Sequence, residues 1–118
     1  MENMNIHIET GDETMVRALE LAAAVDRGED IEAQAHFSFP NLETLLTILT
    51  PKRFSLLGTL RRMGPSSVRA VAGALGRDYK AVHTDVAVLI EYGLIERQAK
   101  DRVAVLWDHV HADMRLAA

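Results

Sequence analysis

Apolar positions along this chain fall into blocks of helical period divided by short breaks, with two brief alternating stretches near the N-terminus. Asn5 to Glu9 alternates apolar and polar side chains and predicts a short strand. Thr10-Gly11-Asp12-Glu13 then reads as a capping box, Thr10 at the N-cap and Glu13 at N3, so a helix starts there. Met15, Val16, Leu19, Ala22, Ala23 and Val25 give that helix a broad apolar face, and Gly28 ends it in the C′ position. Ile31 to Phe39 alternates loosely and predicts a second strand, paired with the first.

After Pro40 the period becomes helical. Asn41 caps a short helix carrying Leu42, Leu45, Leu46 and Leu49. Thr50-Pro51 starts the next one, because Thr50 accepts a first-turn N–H and Pro51 suits the first helical position, where its missing N–H has no partner anyway. Phe54, Leu57, Leu60 and Met63, with Leu56 beside them, supply its apolar stripe, and Gly64-Pro65 stops it. Ser66 or Ser67 caps a helix with Val68, Val71, Ala72 and Leu75 at i, i+3, i+4 and i+7. Gly76-Arg77-Asp78 then forms a three-residue turn.

The helix after that turn is the one around which the rest is arranged. Val82, Val86 and Leu89 make its buried stripe, while Tyr79, Lys80, His83, Thr84 and Ala87 project from another face. Asp78 caps its start, and Gly76 and Gly93 bracket it. Leu94 and Ile95 lead into Glu96-Arg97-Gln98, a charged tip at Ala99-Lys100-Asp101-Arg102, and alternating Val103, Val105 and Trp107. This predicts a hairpin whose tip, lacking glycine, is a longer type I loop rather than a tight primed turn. A last helix, Val110 to Leu116, is expected behind Asp108 as its cap. The expected class is therefore mainly α with a small β-hairpin: a winged helix-turn-helix at 42–118 with its C-terminal helix, preceded by an acidic α/β arm at 1–41 serving dimerisation or a partner.

Composition alters this picture mainly through charge. The net charge of -4 would ordinarily count against a nucleic-acid ligand. Residues 51–107, however, hold ten basic against five acidic side chains, whereas residues 1–50 hold two basic against ten acidic ones. Segregation of this kind is the electrostatic footprint of one basic module. There is no cysteine, which excludes disulfide frameworks and thiolate metal sites. The N-terminus lacks the basic start and apolar run of a signal peptide, and no run of about 18 apolar residues occurs, so a cytoplasmic protein is expected.

The candidate chemistry is recognition rather than catalysis. Lys80, His83 and Thr84 are expected to face bases or phosphates, with Arg77 and Tyr79 at the helix entry, where the N-terminal dipole favours a phosphate. Lys80 suits guanine acceptors, and Thr84 suits a base edge or a thymine methyl. Arg97, Lys100 and Arg102 are the hairpin's candidates for phosphate or minor-groove contact. Asp85, nearer the buried side, is expected to pair with an arginine such as Arg69 or Arg53. His109 and His111, two apart on a helix, would diverge, and His7 and His36 are remote, so no metal site is expected. No phosphate loop or nucleophile elbow is present, and neither an enzyme nor a cofactor is expected.

Taken together, Thr50-Pro51-Lys52-Arg53, Gly64-Pro65, Ser67-Val68-Arg69, Leu75-Gly76-Arg77-Asp78-Tyr79, Val82-His83-Thr84-Asp85-Val86, Leu89, Gly93-Leu94-Ile95-Glu96 and Trp107 resemble the small prokaryotic winged-helix DNA-binding proteins grouped with MarR-like transcriptional regulators. The resemblance covers roughly residues 42–118. It implies a sequence-specific regulator that occupies promoter DNA, and a homodimer is expected. Some of these regulators resemble antitoxins, which gives the alternative: an acidic N-terminal arm that binds a toxin and a winged helix that regulates its own operon.

Overall fold

A computed structural model describes residues 3–29, 35–114 and 116. The chain begins with β1 (Asn3–Ile8), α1 (Gly11–Asp26) and β2 (Ala35–Phe39). Thr10 caps α1 as its sequence requires, its side chain accepting from the Glu13 amide, and Gly28 follows the helix with a φ of 76°. Residues 31–34 of the expected second strand lie outside the described residues. The two strands pair in parallel, Met4 beside Ala35 through to Ile8 beside Phe39. A parallel pair needs a crossover, and α1 is that connection.

The C-terminal segment departs from expectation. Instead of a helix from Val110 to Leu116, His109–Met114 forms β5, parallel to the other edge of β1, which makes β1 the centre of a three-stranded sheet ordered β2-β1-β5. The segment satisfies a strand's period of two as well as a helix's. Val110, Ala112 and Met114 register with Met4, Ile6 and Ile8, and His109, His111 and Asp113 with Asn3, Asn5 and His7. What decides is the ladder offered by β1, a hundred residues away in sequence and invisible to local periodicity. Asp108 accordingly caps nothing and accepts from Arg61 instead.

Between these strands lie α2 (Leu42–Ile48), α3 (Pro51–Met63), α4 (Val68–Leu75) and α5 (Tyr79–Glu91), then the antiparallel pair β3 (Glu96–Ala99) and β4 (Arg102–Ala104). Asn41, Thr50, Ser67 and Asp78 each accept the amide three residues on, so the caps predicted for these four helices are in use, with Ser67 rather than Ser66 as the third. Ser66 is buried and exchanges both backbone bonds with Val103, at 3.0 and 2.9 Å, tying β4 to the start of α4. The hairpin tip is shorter than expected. Ala99 pairs with Arg102 across only Lys100 and Asp101, and a register shift between Arg97 and Ala99 absorbs the misfit. Among the described residues no non-glycine residue has positive φ, so the tip is not a primed turn.

One core joins all of this except α1 and β3. Met4, Ile6 and Phe39 belong to the same buried cluster as Leu56, Leu60, Val71, Val82, Val86, Leu89, Ile95 and Val103. The N-terminal strands are thus part of the core that the helices close rather than a separate layer, and the chain is mixed α/β, with more sheet than the mainly α class anticipates. Within α3 the buried stripe is Leu56, Leu57 and Leu60, while Phe54 is exposed. Phe39 stacks on Tyr92 with ring centroids 5.6 Å apart, seating β2 on the C-terminal end of α5. Gly93, at φ 75°, is required there, because a Cβ would come within 3.0 Å of Phe37. No helix among the described residues is long and apolar enough to cross a membrane.

Candidate nucleic-acid interface

The α5 helix is fixed from three sides before any outward residue is considered. Val82 and Leu89 are completely buried and Val86 nearly so, on the stripe expected of them. Gly76 takes the left-handed conformation that ends α4, and the turn Gly76-Arg77-Asp78 delivers the chain to α5 with Asp78 as its cap. Asp85 then locks the middle of the helix. It receives Arg77 Nη2 at 2.7 Å and Arg53 Nε at 3.0 Å, while Arg53 Nη1 also donates to the carbonyls of Thr47 and Ile48 at the end of α2. Burial works to raise the Asp85 pKa, but hydrogen bonds and charge from Arg77 and Arg53 outweigh it and hold the carboxyl below its ordinary value.

That arrangement bears out the pairing of Asp85 with Arg53 and corrects one expectation. Arg77 is not directed outward at a phosphate; its guanidinium is spent on Asp85, with Nη1 buried and lacking a hydrogen-bond partner. Arg69 is not the partner of Asp85. Its guanidinium carbon lies 4.6 Å from the centroid of the Tyr79 ring, on the outer surface. The Tyr79 ring in turn lies 5.8 Å from that of His83, so Arg69, Tyr79 and His83 form a continuous stack from α4 onto α5.

Tyr79, Lys80, His83 and Thr84 are all exposed on one face, as their angular spacing predicts. The Thr84 hydroxyl donates to the Lys80 carbonyl at 3.0 Å, leaving its acceptor lone pairs and methyl group outward. Beside this face a cleft of about 440 Å³ runs between α5, the start of α4 and the hairpin, lined by Ser67, Arg69, Tyr79, His83, Arg97 and Lys100 among others. Arg102 is exposed on β4 but does not line it. Among the described residues Arg69, Lys80, Arg97, Lys100 and Arg102 make no ion pair. The cleft is therefore a concave surface with three uncompensated cations and one aromatic stack, opposed by Asp101 alone among its acids.

Arg69 and Ser67 are the lining residues that sequence reasoning missed. A signal existed: with Val68, Val71 and Ala72 fixed inward, Arg69 must point out, and only three turn residues separate its helix from Tyr79.

The four histidines other than His83 sit elsewhere, on the outer face of the three-stranded sheet. His7 Nε2 and His36 Nδ1 are 2.9 Å apart with stacked rings. His109 and His111, expected to diverge on a helix, share a strand face with ring centroids 6.0 Å apart. Burial, then the charge of Arg17 and of His7, lowers the His36 pKa against the opposing pull of Glu9. Glu9 accepts from Arg17, Ser38 and Thr14 at 2.6, 2.7 and 3.0 Å. The Arg17 bond above all holds its carboxyl at about 2 in spite of burial. Among the described residues no three His, Asp or Glu side chains gather to hold a metal ion.

Residues 48–112 match the model of the HVO_A0114 family, a span that contains α3, α4, α5, the hairpin and every residue of the cleft. Neither a curated protein nor a solved structure matches the chain.

Proposed function

The chain belongs to the HVO_A0114 family, and we propose that its matched span is a winged helix-turn-helix that binds double-stranded DNA sequence-specifically and regulates transcription by occupying promoter sites as a homodimer. The observation that carries this reading is the outward quartet Tyr79, Lys80, His83 and Thr84, placed on the helix after a three-residue turn and bordered by a cation-lined cleft. An α-helix fits the major groove, and these four side chains are the ones α5 would bring to its floor. Lys80 reaches guanine acceptors there, and the Thr84 methyl meets a thymine methyl.

The other cations position rather than specify. Arg69, Arg97 and Lys100 line the cleft beside the quartet, where they would meet phosphates, raise affinity for any sequence and set the salt dependence. The hairpin acts as the wing, held in place by the Ser66–Val103 pair of bonds. In a homodimer two such helices enter major grooves one turn, about 34 Å, apart. The reading assigns no catalytic residue and no cofactor.

Genomic footprinting with the purified full-length protein tests it. Protected fragments sharing a short inverted repeat are expected. Protection with no common sequence at physiological salt would reduce the protein to a non-specific binder and end the regulatory reading.

A further inference from the structure

Four of the chain's five histidines share the outer face of the three-stranded sheet, and the DNA-contacting surface uses none of them. They form two pairs of different character. His7 and His36 already satisfy each other, nitrogen to nitrogen at 2.9 Å, and the cation of Arg17 acts on His36. His109 and His111 are exposed and, among the described residues, neither ring takes part in a hydrogen bond or an ion pair. The strand brings them together where a helix would have parted them, since residues two apart on β5 leave the same face. Their ring centroids lie 6.0 Å apart. An ion held about 2.1 Å from one nitrogen of each of two imidazoles keeps the centroids within about 6.5 Å, so this pair can share one without any movement of the backbone.

A third donor stands on the neighbouring strand. Asn3 registers with His109, and Asn5 with His111, on that same face. Asn3 Oδ1 is buried and accepts no hydrogen bond among the described residues, a costly state for an acceptor unless a donor or a cation meets it. The carboxylate of Asp113, two residues beyond His111 on the same face, adds negative charge nearby. The Arg17 cation pairs with Glu9 at the other end of β1, six residues or about 20 Å from Asn3 along the strand, and so opposes a second cation there only weakly.

We infer that His109, His111 and Asn3 Oδ1 bind a divalent transition-metal ion, with water in the remaining positions. Two imidazole nitrogens and one amide oxygen suit Ni²⁺ or Cu²⁺, whereas Mg²⁺ and Ca²⁺ take oxygen ligands throughout. The ion ties β1 to β5, strands from opposite ends of the chain, and by binding only the folded state it stabilises their pairing. The inference is independent of the DNA-binding reading.

Calorimetric titration of the untagged full-length chain with nickel chloride tests it. Saturable uptake of one ion per chain at micromolar Ni²⁺ is expected, with a rise in the thermal unfolding midpoint, and no uptake of Mg²⁺ at the same concentration. His109→Ala and His111→Ala, both at exposed positions, should each weaken Ni²⁺ binding at least about tenfold and remove the thermal shift, with an unchanged circular dichroism spectrum of the metal-free protein. Asn3→Asp, which keeps the shape and adds a charge, should bind more tightly, and His7→Ala should bind as wild type does. A wild type that takes up no Ni²⁺ at millimolar concentration overturns the inference. So does uptake that survives both histidine substitutions on β5 or is lost in His7→Ala, which would assign the ion to the other pair, and so does an Asn3→Asp variant no tighter than wild type.

Discussion

Arg77, in the turn ahead of α5, places its Nη2 2.7 Å from the carboxylate of Asp85, eight residues further on and at the midpoint of the helix. Because Arg53 of α3 holds the other oxygen, one carboxylate fixes the angle at which α5 leaves its turn. Asp85→Ala strands two partly buried guanidinium groups and should cost about 2–3 kcal/mol in urea unfolding, the range for hydrogen bonds to charged groups. Arg77→Ala should lower stability while leaving the slope of log affinity against log salt where it was. A slope reduced by about one would instead return Arg77 to the phosphate-contacting set.

Helix and hairpin should differ in kind. Lys80→Ala is expected to cost about 1–3 kcal/mol of specific binding and to relax preference at one operator position. Lys100→Ala should weaken all sequences evenly and reduce the salt slope by about one. Binding of each variant to a randomised operator library separates the two signatures, and an interchange of them would exchange the roles assigned to α5 and the wing.

Acid should act on the sheet. The Glu9 pKa is lowered, so its contribution is complete above about 4.5 and is lost as pH falls toward 2. His36 is also lowered, so its neutral form favours the folded state: that contribution is intact above 6.5 and declines as pH falls through the folded value. Urea midpoints measured from pH 7 downward should therefore fall, and Glu9→Gln should flatten the limb below 4.5. An unchanged limb in that variant would remove Glu9 as its source.

The N-terminal strand is expected to matter more than a detachable arm would. Ile6 is 1 % exposed on the central strand, and Ile6→Ala should cost about 2–5 kcal/mol, whereas Leu19→Ala on α1 should fall within about 0.5 kcal/mol in the folding of a single copy. Comparable losses at both sites, measured by denaturation of the monomer, would place α1 in the core.

These contrasts trace what could be read without coordinates. Caps and turns were legible because their chemistry is local: Thr10, Asn41, Thr50 and Asp78 each bond an amide three residues away, and Gly28, Gly64, Gly76 and Gly93 each sit where φ is positive. The α5 face was legible for the same reason, since 100° per residue separates Val82, Val86 and Leu89 from Lys80, His83 and Thr84. Long-range pairing was not. Val110 to Met114 carries a pattern that both a helix and a strand accept, and only β1 decides between them. Arg69 and Arg77 look alike in sequence, yet the distance from each guanidinium to Asp85 sends one to the surface stack and the other inward.

The most direct test of the central claim is the salt dependence of operator binding by fluorescence anisotropy, comparing wild type with the triple variant Lys80→Ala/His83→Ala/Thr84→Ala. The account predicts that wild type prefers a footprinted site over scrambled DNA of the same length by at least about a thousandfold, and that the triple variant loses this preference while still binding both duplexes with a salt dependence set by Arg69, Arg97 and Lys100. A triple variant that keeps the wild-type preference would contradict it, because sequence would then be read by a surface other than α5.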